Sequence, residues 1–340
     1  ALEFSPALVF PFRQETAEIL KWAEAKRPHW KTKYYLALVY LSKDRAENAT
    51  ELFRGCGNDP DYAPFYVTRG NLLRSEKSAE ALKDYKRAMD LGRTEWRTYR
   101  TLIDYHVERL EYADALATAK SAAEMFPTSC VALFNLARLL VLNRQPETSL
   151  AILDTLTVLP FEGARYTREV YRQACILSSA NAMKDGKYQN ASRLLEKARQ
   201  WPERLGVGKP YEVDDRFEDY LEGMCSVKSG DKVRGQKLFG QVAAYTRSHS
   251  GDLGVNRLFG ALAERALGKE EAATKLAEEW TKEGKSSLAR WLVSTLRGNV
   301  TEASAIEKEL RGSSSATLLG SSSVDQEFAL IMEVYRSVKF

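Results

Sequence analysis

The sequence predicts an all-α fold, a right-handed superhelix of about eight stacked helical hairpins with a C-terminal capping helix. Two observations carry this. A signature of small, bulky, then small or apolar residues, at offsets of four and three, recurs eight times. Its first copies open at Ala49, Ala81, Ala115 and Ser149, intervals of 32, 34 and 34 residues, a period that belongs to stacked helical hairpins. Such a stack grows in one dimension, so 340 residues can form one array without dividing into compact globules.

The elements follow in chain order. Residues 1–29 read as a lead-in helix. The first hairpin places Tyr35, Leu36, Val39 and Tyr40 on one helix and Ala49, Leu52, Phe53 and Cys56 on the next, with Ser42 to Arg45 as the turn. The second places Tyr66, Gly70 and Leu73 against Ala81, Tyr85 and Ala88. Gly70 sits where two helices approach closely, which offsets its helix-propensity cost of about 1 kcal/mol. The third to fifth signatures are Ala115, Ala119, Ala122; Ser149, Leu153, Leu156; and Ala191, Leu195, Ala198. Weaker copies follow at Gly235, Phe239, Val242; Ala272, Leu276, Glu279; and Ala303, Glu307, Leu310.

The period stretches to 42 and then 44 residues between the fourth, fifth and sixth copies, which open at Ser149, Ala191 and Gly235. The extra segments are Val158 to Arg165 and Trp201 to Asp215, and insertions in a solenoid go to loops, often on the binding side. Units one to five occupy 30–202 and divergent units six to eight 203–311. A Gly/Ser-rich linker spans 312–323. Residues 324–340 then carry Phe328, Ile331, Met332 and Tyr335 at helical spacing, as suits a helix covering the exposed end of the stack.

Composition excludes several classes. With 44% hydrophobic and 28% charged residues the chain is neither disordered nor fibrous. Lys and Arg number 50 against 46 Asp and Glu, a balance that gives no electrostatic footprint for nucleic acid. No apolar run reaches the ~18 residues that span a bilayer. Cys56, Cys130, Cys175 and Cys225 are far apart and form no C-x-x-C pair; three of them fall among apolar residues of predicted helices and read as small buried thiols, and the lack of a disulfide framework favours a reducing compartment, the cytoplasm. The chain begins with Ala1, which implies processing or excision from a longer polypeptide.

Catalytic and cofactor motifs are weak. His29, His106 and His249 are isolated and lack metal-ligand spacing, and His106 reads as a packed helix residue. Ser250-Gly251 lacks the strand-turn-helix setting of a nucleophile elbow. Gly206, Gly208 and Lys209 lack the pattern of a phosphate loop and read as a structural loop. Asp214, Asp215, Glu218 and Asp219 read as the acidic start of a helix. No catalytic residue, metal site or cofactor is expected, and the chain reads as non-enzymatic.

The third unit (Tyr99, Leu102, Ala115, Ala119, Ala122, Pro127), the fourth (Leu133, Leu136, Ala137, Leu140, Ser149, Leu153, Leu156, Pro160) and the fifth (Ala182, Gly186, Tyr188, Ala191, Leu195, Ala198, Pro202) resemble the tetratricopeptide repeat. Ile103, Glu279 and Glu307 depart from its pattern. The resemblance implies a concave groove formed by the first helices of the hairpins. On this register the groove shows Tyr34, Asn71, Arg74, Arg97, Arg100, Asp104, Phe134 and Arg138, a set suited to a protein or peptide with acidic and apolar side chains. Arg100 and Asp104 stand four apart and can also pair with each other. The two-carboxylate clamp of chaperone-binding relatives would fall on Val67, Asn71, Thr101, Val131 and Asn135, of which only Asn71 matches.

The stretches YYLALVYLSKDRAENATELFRGCGNDPDYAPFY and WPERLGVGKPYEVDD resemble the repeat region that follows β-rich, carbohydrate-related domains in large bacterial proteins. That resemblance implies an accessory module packing against a catalytic domain of the same polypeptide, and a large outer apolar patch would favour it. A third reading is a nucleic-acid binder using Arg93, Arg97, Arg100 and Arg109 around Trp96 and Tyr99.

Overall fold

The apolar period of three to four residues folds as expected, into helices paired as antiparallel hairpins. The computed structural model describes residues 2–75, 78–161, 164–249, 254–283, 287–312 and 323–338, and every regular element among them is helical. Its packing divides the chain into two units, residues 1–139 and 140–340. The sequence boundaries at 202 and 311 followed closeness to the repeat pattern, a different criterion from packing.

Unit 1 opens with α1 (Gln14–Lys26), whose Ala17 packs on Leu36 and Val39. Its hairpins are α2 and α3 (Trp30–Leu41, Ala46–Gly55), α4 and α5 (Ala63–Leu73, Ser78–Leu91), and α6 and α7 (Trp96–Glu108, Tyr112–Met125), followed by α8 (Cys130–Leu142), whose last turn lies in unit 2. Unit 2 continues with α9 (Pro146–Leu153), then α10 and α11 (Arg165–Lys184, Tyr188–Arg199), and α12 and α13 (Arg216–Lys228, Lys232–Ser248). It ends with α14 and α15 (Arg257–Ala266, Glu270–Glu283), α16 and α17 (Val300–Gly312 following Ser287–Leu296), and α18 (Ser323–Val338).

One turn recurs between paired helices. Asp44, Leu110, Arg144, Gly186, Gly230, Gly268 and Gly298 each adopt a left-handed backbone, with φ between 57° and 97°. The next residue then donates its N–H to the carbonyl five positions back: Arg45 to Tyr40, Glu111 to His106, Gln145 to Leu140, Lys187 to Ala182, Asp231 to Ser226, Lys269 to Glu264 and Asn299 to Ser294, at 2.8–3.0 Å. This is the Schellman closure, which satisfies the orphan carbonyls of the first helix while reversing the chain. The second half uses glycine, which meets no steric cost there; Asp44, Leu110 and Arg144 pay that cost in the first.

The signature residues are the seam of each hairpin. The first six triplets are all buried, from Ala49, Phe53 and Cys56 to Gly235, Phe239 and Val242. A methyl group built on Gly70 would stand 2.6 Å from Cε1 of Tyr85, and one on Gly223 would stand 2.5 Å from Cε1 of Phe239, so both helix pairs require glycine where the aromatic ring crosses. The seventh triplet is corrected by one position. Ala273, Ala277 and Trp280 are buried, whereas Ala272, Leu276 and Glu279 are partly exposed, which removes the anomaly of a glutamate in the seam. In the eighth copy Ile306 is the buried residue and Glu307 is not; the side chain of Leu310 and residues 313–322, most of the expected linker, lie outside the described residues.

The last helix forms where expected but packs elsewhere. The expectation placed α18 over the free end of the stack, whereas it lies against α10, five hairpins into the array, and reaches α16 through Tyr335, whose ring meets Trp291 edge-on at 4.9 Å. Leu330, Ile331 and Val334 are fully buried in this packing and Met332 nearly so. Two acids fasten it: Glu327 accepts from Arg172 of α10 at 2.5 and 2.9 Å, and Glu333 pairs with Arg144 at 3.1 Å. The amphipathic pattern of the helix explains the packing: its apolar side is buried while its carboxylates meet arginines.

Candidate functional site

Seven of the eight residues expected in the groove lie at least partly at the surface of unit 1. Tyr34 does not. Its ring is 4% exposed and sits in the aromatic core with Phe53 and Phe65 at 5.9 and 5.8 Å, because its helix position turns it toward the neighbouring hairpin. Asn71 is exposed and its side-chain oxygen accepts from the Tyr85 hydroxyl at 2.9 Å. Arg97 is exposed and lies over the Trp96 ring at 4.7 Å. Phe134 is half-buried on α8.

The charged members are already linked. Asp104 faces Arg100 at 3.6 Å and Arg138 at 3.7 Å, joining α6 to α8, and Arg74 pairs with Glu108, joining α4 to α6. The self-pairing of Arg100 with Asp104 anticipated from their spacing therefore forms, and Asp104 is shared. The Arg100–Asp104 pair, long and exposed, contributes about 0–1 kcal/mol, whereas the Arg138 side chain is only 14% exposed, so a carboxylate from another molecule competes with Asp104 at least cost for Arg100.

The constellation proposed for nucleic acid does not assemble as a stacking platform. Tyr99 is buried against Phe126, and Arg93, Arg100 and Arg109 face Asp90, Asp104 and Glu111. His106 is buried, as its helix position suggested, and its Nδ1 lies 2.8 Å from Glu111. Asp114 brings a third ligand atom within 4.8 Å of these two. Glu111 is engaged on its other oxygen by Arg109 at 3.0 Å, and the two hydrogen bonds hold its carboxyl below the usual range, as in a structural ion pair. The cysteines are all free; Cys56, Cys175 and Cys225 are buried and their thiols are pushed up to about 12, far from the thiolate that nucleophilic chemistry needs.

In unit 2 the two segments that break the period meet. The backbone N–H of Val158 donates to Arg204 at 2.8 Å, Leu205 is fully buried, and the Arg204 guanidinium reaches the carbonyls of Leu153 and Leu156. Gly206 closes a short 3-10 turn (Glu203–Leu205) in the left-handed region, with its Cα so near that a methyl group would stand 3.0 Å from the carbonyl oxygens of Val158 and Leu159. This is the structural loop that the missing phosphate pattern implied.

The same insertion walls a cavity of about 300 Å³ over the start of α10, bordered by Arg168, Gln173, Trp201, Asp215 and Asn256. Neither the pattern nor the charge balance of the sequence pointed to it; the break in period at Trp201 was its only signal. Of the acids at the start of α12, Asp214 pairs with Arg216 at 2.7 Å, Glu218 with Arg172 at 2.5 Å and Asp219 with Arg199 at 2.9 Å. Asp215 has no ion-pair partner among the described residues. Burial, with Glu218 and Asp219 beside it, pushes its carboxyl up to about 6, against the pull of Arg199 and Arg172.

That shift has a sign. The folded state holds the Asp215 proton more tightly than the unfolded chain, whose aspartate titrates near 3.8, so native stability falls as pH rises from about 4 through 6. Asp215→Asn removes the charge and is expected to raise the melting temperature at pH 8 and to lose that advantage below about pH 4. A gain that is the same at pH 8 and pH 4 contradicts this.

No known protein family and no curated protein sequence matches the chain. Solved structures do. A chain in the structure of Naa15/Naa10 bound to HypK-THB superposes over 95% of this chain and 52% of its own length, with a TM-score of 0.50 at 16% identity. The chain has the fold of tetratricopeptide-repeat proteins. The C-terminal part of a tetratricopeptide-repeat protein from Cytophaga hutchinsonii matches over 68% of this chain and 89% of its own, with a TM-score of 0.48 at 16% identity. Yeast Tom70 matches over 88% and 60%, with a TM-score of 0.36 at 13% identity. At these identities the likeness is one of fold, and the residues of the repeat surface are this chain's own.

Proposed function

We propose that this repeat protein is a non-enzymatic scaffold that binds a partner protein along the first-helix face of unit 1, through Asn71, Arg74, Arg97, Arg100, Asp104, Phe134 and Arg138. The segment bound carries acidic and apolar side chains. The observation that carries this reading is α18. In unit 2 an amphipathic helix lies against first helices of the hairpins, with its apolar side buried and Glu327 and Glu333 on Arg172 and Arg144. The chain thereby supplies an example of what such a face accepts, and unit 1 offers the same chemistry, arginines beside a half-buried aromatic. The non-enzymatic reading draws support from His106, held against Glu111, and from the three buried thiols Cys56, Cys175 and Cys225, kept protonated by burial.

The alternative accessory-module reading draws on a different surface. Ile19 and Trp22, three apart on α1, are 65% and 64% exposed, and Phe10 and Phe12 before them are exposed as well. Apolar side chains grouped on an outer helix suit packing against an adjoining domain.

One capture experiment separates the two. The full chain is used to recover partners and is compared with Arg100→Ala/Arg138→Ala, with Ile19→Glu/Trp22→Glu, and with Arg54→Ala/Lys120→Ala, which removes equal charge from second helices. Loss of two charge-assisted contacts, each about 1.5–3 kcal/mol, is expected to cut recovery at least tenfold in the first variant alone. Unchanged recovery there removes the support for the unit 1 face, and loss in the α1 variant instead favours the accessory module.

A further inference from the structure

Five buried polar atoms around the cavity at the start of α10 make no hydrogen bond: Nε and Nη1 of Arg168, Nε1 of Trp201, Oε1 of Gln173 and Oδ1 of Asn256. Orphaned buried groups are rare in folded proteins, and half of those found among the described residues gather at one place. Arg168 is 1% exposed, is stacked at 4.5 Å over the Trp201 ring and uses Nη2 on the Ala198 carbonyl at 2.5 Å. It has no ion-pair partner among the described residues, since the neighbouring acids are committed: Glu169 faces Arg165 at 3.6 Å, and Glu218 and Glu327 hold Arg172. A buried guanidinium without a counterion is costly, and burial with Arg172 nearby accordingly lowers its proton affinity.

The cavity therefore asks for two things of opposite sign. Arg168 and Trp201 offer donors and a positive charge, whereas Asp215, Gln173 and Asn256 offer acceptors and, in the carboxyl, a negative one. A simple anion would satisfy the first group and be repelled by Asp215 and Glu212, and a simple cation would meet Arg168. At about 300 Å³ the space stands at the lower end of the range for small-molecule sites.

We propose that this cavity binds a zwitterionic amino acid, its carboxylate on Arg168 and Trp201 and its ammonium on Asp215, with Gln173 and Asn256 accepting the remaining hydrogens. The site is independent of the partner-binding face of unit 1. The insertion Trp201 to Asp215 supplies two of the three principal groups, which gives the break in the repeat period a purpose beyond connection.

The test uses the full chain and the twenty free amino acids as probes, followed by calorimetry and by tryptophan fluorescence, in which the signal of Trp201, one of six tryptophans, is the difference between the parent and Trp201→Phe. Each amino acid that binds is compared with two fragments of it, the amine lacking the carboxylate and the carboxylic acid lacking the amine. Because Arg168 is deeply buried and its removal risks unfolding, the variants are Trp201→Phe, which keeps the ring and removes the donor, and Asp215→Asn, which keeps the shape and removes the charge. At least one amino acid is expected to bind with one-to-one stoichiometry, at least tenfold more tightly than either fragment, and each variant is expected to weaken it at least about tenfold with the helical content unchanged. The proposal is overturned if no amino acid binds at about 10 mM, if the carboxylic acid alone binds equally well, or if both variants bind as the parent does.

Discussion

Arg172→Ala is expected to destabilise unit 2 by about 3–5 kcal/mol, the largest effect of any single polar substitution described for this chain. Arg172 donates to Glu218 at 2.5 and 3.1 Å and to Glu327 at 2.5 and 2.9 Å, and so ties α10 to both α12 and α18. The Glu218 side chain is 0% exposed and that of Glu327 17% exposed. Removing the guanidinium leaves two carboxylates facing each other with little access to water, and the cost arises from that desolvated repulsion more than from the lost bonds. Neutralising the pair as well, in Arg172→Met/Glu218→Gln/Glu327→Gln, is therefore expected to recover a large part of the loss. Chemical denaturation of the three proteins checks this. A single variant within about 0.5 kcal/mol of the parent would mean that the network is a surface ornament.

Leu330→Ala is expected to cost about 2–5 kcal/mol, the range for truncating a buried leucine. Leu330 is fully buried on α18, as are Ile331 and Val334 around it. A helix that merely covered a free end would show its apolar face partly to water, and the same truncation would then cost under about 1 kcal/mol. The magnitude thus reports whether α18 is an integral part of the unit 2 core. Thermal unfolding followed by circular dichroism reads it, with Val9→Ala, at an exposed position outside the helices, as the comparison that leaves stability unchanged.

Much of the architecture was legible because the pattern that names a helix hairpin is local. Ala49, Ala81, Ala115 and Ala191 stand where one helix crosses another, and only small residues allow that approach, so their spacing carries the period directly. The later units were legible in a different code. Gly230, Gly268 and Gly298 mark the turns of hairpins whose seams have drifted from the consensus, since the left-handed residue of the closure is set by backbone geometry and not by packing. Reading those glycines would have placed the seventh seam on Ala273, Ala277 and Trp280 and avoided the one-residue slip.

The site was less legible. The partner Asp104 finds in Arg138 is 34 residues away on another hairpin, beyond the reach of helical spacing, whereas its pairing with Arg100 was anticipated at four residues. Tyr34 was misplaced because a register borrowed from the repeat consensus gives the direction of a side chain only where the neighbouring hairpin is equally regular, and here Phe53 and Phe65 draw the ring inward. The burial of α18 on α10 joins residues more than 150 positions apart, as in the Arg172–Glu327 pair, and no local pattern encodes such a meeting.

The central claim, that the first-helix face of unit 1 receives the partner, is tested most directly by hydrogen exchange of the full chain with and without a captured partner. The account predicts slowed exchange in α4, α6 and α8, the helices that carry Asn71, Arg100 and Arg138, with the second helices α5 and α7 little changed. Protection confined to α1, or to the segment from Trp201 to Asp215, with α4, α6 and α8 exchanging as in the free chain, would contradict it.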